Sequence, residues 1–319
     1  QVCKDLFTDK TLFTSTAVTW KTSTDLYVLS FDSIPKITFP KCDLRAYSKR
    51  DSAIIHGTEG VYMPTLKQFD GKGGMVDWTR AGFEGNKVYA DLDTYSLDIS
   101  KPEYSAQNVT FYNPEFLDGA QTGTLTEKIL ADVKEDKASY PRFDSDNKRI
   151  FIGSLYKNID YEGGFSQHGV KFLGSGDKDQ DAILTFKRIN PETGDPEPMV
   201  VAKSKTFVIK KDKILSERAK IFMPVREDSI SHPGIKLNYN VEDETLTLTR
   251  TKEGAGRSPF FNSFHKVEMD FESLNWKMSE GVMEMKNITA NTESEAKFES
   301  EHYFDEFRYD RMRGVSEVN

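Results

Sequence analysis

Long apolar runs, zinc-spaced histidines, clustered cysteines and an excess of basic charge are all missing from this chain, and each absence removes a class of protein. No stretch approaches the roughly 20 consecutive apolar residues that a membrane-spanning helix needs. The five histidines, His56, His168, His232, His265 and His302, are scattered, and no two stand at the spacing of a structural zinc site. A formal net charge of -8 argues against a general binder of nucleic acid or anionic lipid, because both require a basic surface to neutralise phosphate. Only Cys3 and Cys42 are present. They allow one disulfide in an oxidising compartment or two buried free thiols, and the sequence leaves both open. Gly71-Lys-Gly-Gly74 and Gly163-Gly164 lack the spacing and following helix of a phosphate loop, and are expected as tight strand reversals.

What is abundant is aromatic residues and alternation. With 22 Phe and 13 Tyr among 319 residues, the chain has the material for a large core. Val88-Ala90-Leu92, Leu97-Ile99, Ile235-Leu237-Tyr239-Val241, Leu246-Leu248 and Val267-Met269-Phe271 place apolar residues at every second position. That period describes strands with one buried and one wet face. A hairpin is expected to join Ile235–Val241 to Leu246–Leu248 through Glu242-Asp-Glu-Thr245. Others are expected to turn at Asn190-Pro-Glu-Thr-Gly-Asp195 and at Lys210-Lys-Asp-Lys213. One phrase recurs, an alternating strand closed by proline: Ile37-Thr-Phe39-Pro40, Val109-Thr-Phe111-Tyr-Asn-Pro114 and Ala219-Lys-Ile221-Phe-Met-Pro224. Helix-compatible spacing shows mainly at Leu125, Ile129, Leu130 and Val133, where a strand is the alternative, and in a charged tail that follows an edge strand near Ala296-Phe298.

The expected fold is therefore all-β: antiparallel hairpins stacked as a jellyroll, groove or solenoid with few short helices, and a two-sheet sandwich as the alternative. The polar stretch 135–148 divides an N-terminal β unit, 1–134, from a C-terminal one, 149–319, unless the two form one continuous stack. The chain opens on Gln1 with no apolar leader, and is expected to be a piece of a longer protein.

Chemistry-bearing residues are few. Asp177, Asp179 and Asp181 alternate in Gly174-Ser-Gly-Asp-Lys-Asp-Gln-Asp181. That spacing can turn several carboxylate oxygens onto one hard cation such as calcium. A solvated turn is the competing reading, since Ala182 follows and Arg188 holds the twelfth position where a bidentate acid would stand. Asp228-Ser-Ile-Ser-His-Pro-Gly234 gathers an acid, hydroxyls and an imidazole, but triad members converge from separate elements, so strand-to-turn punctuation is the expectation. The aromatic run Pro259-Phe-Phe-Asn-Ser-Phe264 is expected in the core, with a ligand platform or interface knob as its alternatives. No catalytic residue is assigned.

Several phrases resemble those of long exported proteins of the Bacteroidota: Gly73-Gly-Met-Val-Asp-Trp78-Thr-Arg-Ala-Gly-Phe83, Ser139-Tyr-Pro-Arg-Phe143, Tyr161-Glu-Gly-Gly-Phe-Ser-Gln-His-Gly-Val-Lys-Phe172 and Ser258-Pro-Phe-Phe-Asn-Ser-Phe-His265. This resemblance implies export and a larger parent chain, and no activity. In architecture, the succession Ile214-Leu-Ser-Glu-Arg-Ala-Lys-Ile221, Ser229–Tyr239 and Thr245-Leu-Thr-Leu248 is similar to the repeating strands of the β-groove proteins that carry lipopolysaccharide across the periplasm. The resulting expectation is a non-catalytic cell-envelope structural or binding module, periplasmic, outer-membrane associated or at the cell surface. Its partners would be other segments or subunits of an envelope assembly, with lipid or glycan as ligand and no nucleic acid. One form of it lines a groove for an amphiphile. The alternatives are a carbohydrate-binding or carbohydrate-active module that exposes Trp78 or Trp276, and an adhesin segment stiffened by calcium.

Overall fold

In the computed structural model, residues 2–49, 51–129, 134–280, 283–287 and 295–298 are described, and among them the only α-helix is Val2–Asp9. Most of the remaining described residues are antiparallel strand with alternating burial, as the period-two pattern requires. The chain divides into two compact units: Gln1–Phe186 with Lys203–Ser216, and Lys187–Ala202 with Glu217–Asn319. The polar stretch 135–148 falls inside the first unit, where it carries the strand Arg142–Ser145.

The first unit is organised by aromatic rings. Trp78 meets Phe111 edge-on with ring centroids 4.9 Å apart, Phe111 stacks on Phe143 at 4.5 Å, and Phe165 lies 4.8 Å from Phe172. Such contacts contribute about 0.5–1.5 kcal/mol each beyond the area they bury. Glycines make room for them. A Cβ at Gly71 would lie 2.2 Å from the Tyr95 ring, and one at Gly163 would lie 2.4 Å from the Tyr161 hydroxyl.

The second unit has a mixed interior, with Phe260 stacked on Phe271 at 4.5 Å beside aliphatic strand residues. Asp228–Asn240 pairs with Thr245–Thr249, placing Leu237 opposite Leu248 and Tyr239 opposite Leu246. Thr245–Thr249 then pairs with Ser273–Lys277, placing Leu248 opposite Leu274 and Leu246 opposite Trp276. Val200, Ala219, Ile221 and Ile235 complete a dry layer. The four largest fully buried side chains, Trp20, Trp78, Tyr62 and Tyr161, lie in the first unit.

The three expected hairpins are present, the one at 210–213 in the register Ile209↔Ile214 and Lys210↔Lys213. In the turn at 190–195, the Asn190 carboxamide oxygen accepts from the amides of Glu192 and Thr193, and Gly194 supplies φ +77°.

Five expectations are corrected. The segment near Leu125 is a strand, Gln121–Lys128, because Gly123, Leu125 and Glu127 point inward at every second residue and β-branched Thr124 and Thr126 suit the opposite face; Leu130 and Val133 lie outside the described residues. Gly73 and Gly74 do not reverse the chain. Met63↔Gln68, Glu59↔Lys72 and His56↔Met75 keep one antiparallel register, so the positive φ of Gly57 and Gly74, which face each other, bends a continuous strand pair. Gly163-Gly164 sits mid-strand in Ile159–His168, where neighbouring side chains leave no space for a Cβ. The strand Asp228–Asn240 runs straight through His232-Pro-Gly234. Pro233 falls between the pairing of Ile230 and Ser231 with Phe260–Asn262 and that of Lys236–Asn240 with Thr245–Thr249, so on that side no ladder bond needs its missing N–H. Finally, the strand Pro35–Ser48 passes through Pro40 at a register shift, and the strand Lys213–Val225 passes through Pro224. At the tail, Glu295–Phe298 pairs with Val267–Asp270 as expected, and the charged segment beyond it lies outside the described residues.

Candidate functional site

The acidic loop is tied up by its own neighbourhood. The Asp177 carboxylate accepts from the amides of Asp179 (2.8 Å) and Gln180 (2.6 Å), and these two bonds hold its pKa below the ordinary carboxylate value. Asp181 pairs with Lys205 at 3.3 Å, and Lys205 also donates to the Asp177 carbonyl at 2.8 Å. Asp179 is exposed. The three carboxylates do not converge, and among the described residues no group of three or more His, Cys, Asp or Glu side chains is placed to hold a metal ion.

His232 is equally committed. It is buried, its Nε2 lies 2.9 Å from the Ser258 carbonyl, and its Nδ1 accepts from the Gly234 amide at 3.1 Å. An acceptor at Nδ1 fixes the neutral tautomer with the proton on Nε2, which donates to Ser258. Burial lowers its pKa further. Asp228 accepts instead from the Ser263 hydroxyl at 2.9 Å, so acid, hydroxyl and imidazole do not form a relay. Trp78 and Trp276 are both buried, Trp276 at 9% exposure. The aromatic run splits: Phe260 is core, whereas Phe261 and Phe264 are exposed, which corrects the expectation that the run is buried. Cys42 is a buried free thiol, and the side chain of Cys3 lies outside the described residues.

The second unit contains a groove that no motif announced. Met199, Met223, Ile230, Trp276, Met278 and Met283 line a space of about 490 Å³. Cross-strand pairing sets Trp276 opposite Met283 on the strand Met283–Lys286. The Trp276 indole N–H donates to the Glu280 carbonyl at 3.0 Å, so the ring presents its apolar body to the groove with its polar atom satisfied. Two arginines stand at the lip. Arg188 is held by Glu197 at 2.6 Å. Arg226, in the turn between Lys213–Val225 and Asp228–Asn240, has no ion pair among the described residues. The Glu280 carboxylate is countered by Lys277 at 2.8 Å. The lip therefore carries one positive charge in excess, above an apolar wall.

The first unit holds a larger cavity, about 810 Å³, with a floor of Ala81, Val88, Phe116 and Ile209 and a rim that mixes Lys87, Glu115, Lys211 and Asp212. Nearby lies a buried ion cluster. Arg80 donates to Glu127 at 2.5 Å, to Asp51 at 2.6 Å and to the Lys128 carbonyl at 3.2 Å. The Glu127 side chain is 1% exposed and that of Asp51 5%. Burial pushes the Glu127 carboxyl up to about 7, against the pull of Arg80. Residues 29 and 47 positions from Arg80 build this cluster, beyond any local motif. The one signal was an acid at an inward position of the alternation Gly123, Leu125, Glu127. The methionines gave less, because apolar residues at inward positions read equally well as core.

The chain matches no protein-family model, no curated protein and no solved structure.

Proposed function

We propose that this chain is a non-catalytic cell-envelope module of a larger exported protein, and that it holds an amphiphile in the methionine-lined groove of its second unit. The groove carries the reading. Thioether side chains are unbranched and adaptable, which suits a flexible acyl chain better than a rigid ligand. Transfer of each methylene from water contributes about 0.8 kcal/mol, so about ten buried methylenes supply roughly 8 kcal/mol before the cost of association. The excess charge of Arg226 favours an anionic head group at the lip. Export and an envelope partner rest on the resemblance of several sequence phrases to those of exported Bacteroidota proteins.

Native mass spectrometry before and after organic extraction tests the proposal, together with titration of a fluorescent fatty acid. Retained amphiphile or saturable binding is expected. Met278→Asp, a change at a half-exposed position, is expected to weaken that binding about tenfold, equivalent to about 1.4 kcal/mol. A clean mass with no saturable binding would overturn the reading.

A further inference from the structure

We infer that the cavity of the first unit is a binding site for a short apolar peptide, held by its two charged termini. This site does not rest on the groove of the second unit. Its walls come from three stretches of chain: the loop after the 3-10 turn Thr79–Ala81, the residues that follow the strand Glu103–Tyr112, and the end of the strand Thr206–Lys210 with its turn. Each stretch brings one apolar residue to the floor, Val88, Phe116 and Ile209 respectively. Phe116 is fixed by its neighbours, edge-on to Phe172 at 5.4 Å and to Tyr156 at 6.2 Å. The Tyr156 hydroxyl in turn donates to the Lys210 carbonyl at 2.6 Å, which ties the turn to the floor. The volume of about 810 Å³ is that of a small-molecule site, for which roughly 300–1,000 Å³ is usual.

Charge selects the ligand. Two of the acids at the rim are already countered, Glu84 by Lys87 at 2.8 Å and Asp212 by Lys213 at 3.1 Å. Glu115, Lys210 and Lys211 also line the cavity, and none of the three has an ion pair among the described residues, with one another or with any other group. The rim therefore offers charge of both signs, held apart. A fatty acid would meet Glu115 with charge of its own sign, and a purely cationic ligand would meet the two lysines in the same way. A zwitterion satisfies both. Because Glu115 does not touch either lysine, the ligand must also separate its charges, and a peptide of two or three residues does so, each residue adding up to about 3.3–3.6 Å of chain.

A buried donor stands ready for the peptide backbone. Asn113 lines the cavity and is only 1% exposed. Its carboxamide oxygen accepts from the Glu115 amide at 3.2 Å, and Nδ2 donates one hydrogen to the Gln167 carboxamide oxygen at 3.3 Å. The second Nδ2 hydrogen has no acceptor among the described residues. A peptide carbonyl supplies one, and a single well-placed polar group of this kind fixes the orientation of a ligand whose side chains rest on an apolar floor.

Calorimetric titration of the natural protein with leucyl-phenylalanine, with its N-acetyl derivative and with its C-terminal amide tests the inference. Saturable binding of the free dipeptide is expected, weakened about tenfold by either cap. Lys211→Glu is expected to weaken the free dipeptide about tenfold while changing the amide, which lacks the carboxylate, by less than about twofold. Glu115→Gln should do the same for the free dipeptide and spare the N-acetyl form. Both positions are exposed, so neither change disturbs the core. Equal affinity for free and capped dipeptides would overturn the inference, as would no saturable binding of the free dipeptide at millimolar concentration. Tighter binding of octanoate, which carries the negative charge alone, would overturn it as well.

Discussion

Each unit buries a titratable centre, and the two are built on opposite principles. In the second unit, His232 is neutral, with one ring nitrogen donating to Ser258 and the other accepting from Gly234. In the first, Arg80 is shared between Asp51 and Glu127. The imidazole is complete as it stands, and a proton added to it would face burial and the nearby charge of Arg250. Burial raises the Glu127 carboxyl to about 7, so it takes up a proton near neutral pH. Burial thus disfavours the charged form of both groups and moves their pKa values in opposite directions, up for Glu127 and down for His232. The cores differ in proportion, the first carrying most of the buried rings and the second mixing Phe260, Phe271 and Tyr239 with aliphatic side chains.

The largest expected break in this comparison is Arg80→Leu, which strands two buried carboxylates. It should cost about 3–5 kcal/mol in denaturant unfolding near neutral pH and markedly less in acid, where protonation removes the stranded charge. Next come the pH limbs, which have opposite signs. Glu127 makes stability fall as pH rises from 4.5 to about 7. His232, whose pKa is lowered by burial, makes stability fall as pH drops below 6.5, because the unfolded chain takes the proton first. Melting-temperature profiles of Glu127→Gln and His232→Gln should each lose one limb and keep the other. The smallest effect is expected at the exposed pair of Lys236 and Glu217, which has an ordinary separation of 3.1 Å. Lys236→Gln should shift stability by less than about 1 kcal/mol, and by less still in high salt.

The strands and hairpins were legible because alternation and turn chemistry are local. Leu237, Tyr239, Leu246 and Leu248 declare a hairpin within fifteen residues, and Asn190 and Gly194 declare its neighbour. Misreadings arose where a local signal served a non-local purpose. Gly163 looks like a turn residue, yet it is small because the Tyr161 hydroxyl and Ala182 occupy the space beside it. Pro233 looks like a strand terminator, yet it falls where one pairing has ended and the next has not begun. The sites were least legible. The ion cluster joins residues from three distant elements, and the groove depends on which methionines fail to be covered, a property of packing that no periodicity encodes.

The sulfur in the groove has a chemical consequence of its own. Thioethers are oxidised to sulfoxides, which are polar and chiral, so peroxide converts an apolar wall into one that binds water. Met278 and Met283 are half-exposed, whereas Met199 and Met223 are buried, so damage should enter at the lip and move inward. The lesion is reversible by sulfoxide reductases. The groove of the second unit is therefore expected to carry a record of the oxidants the protein has met.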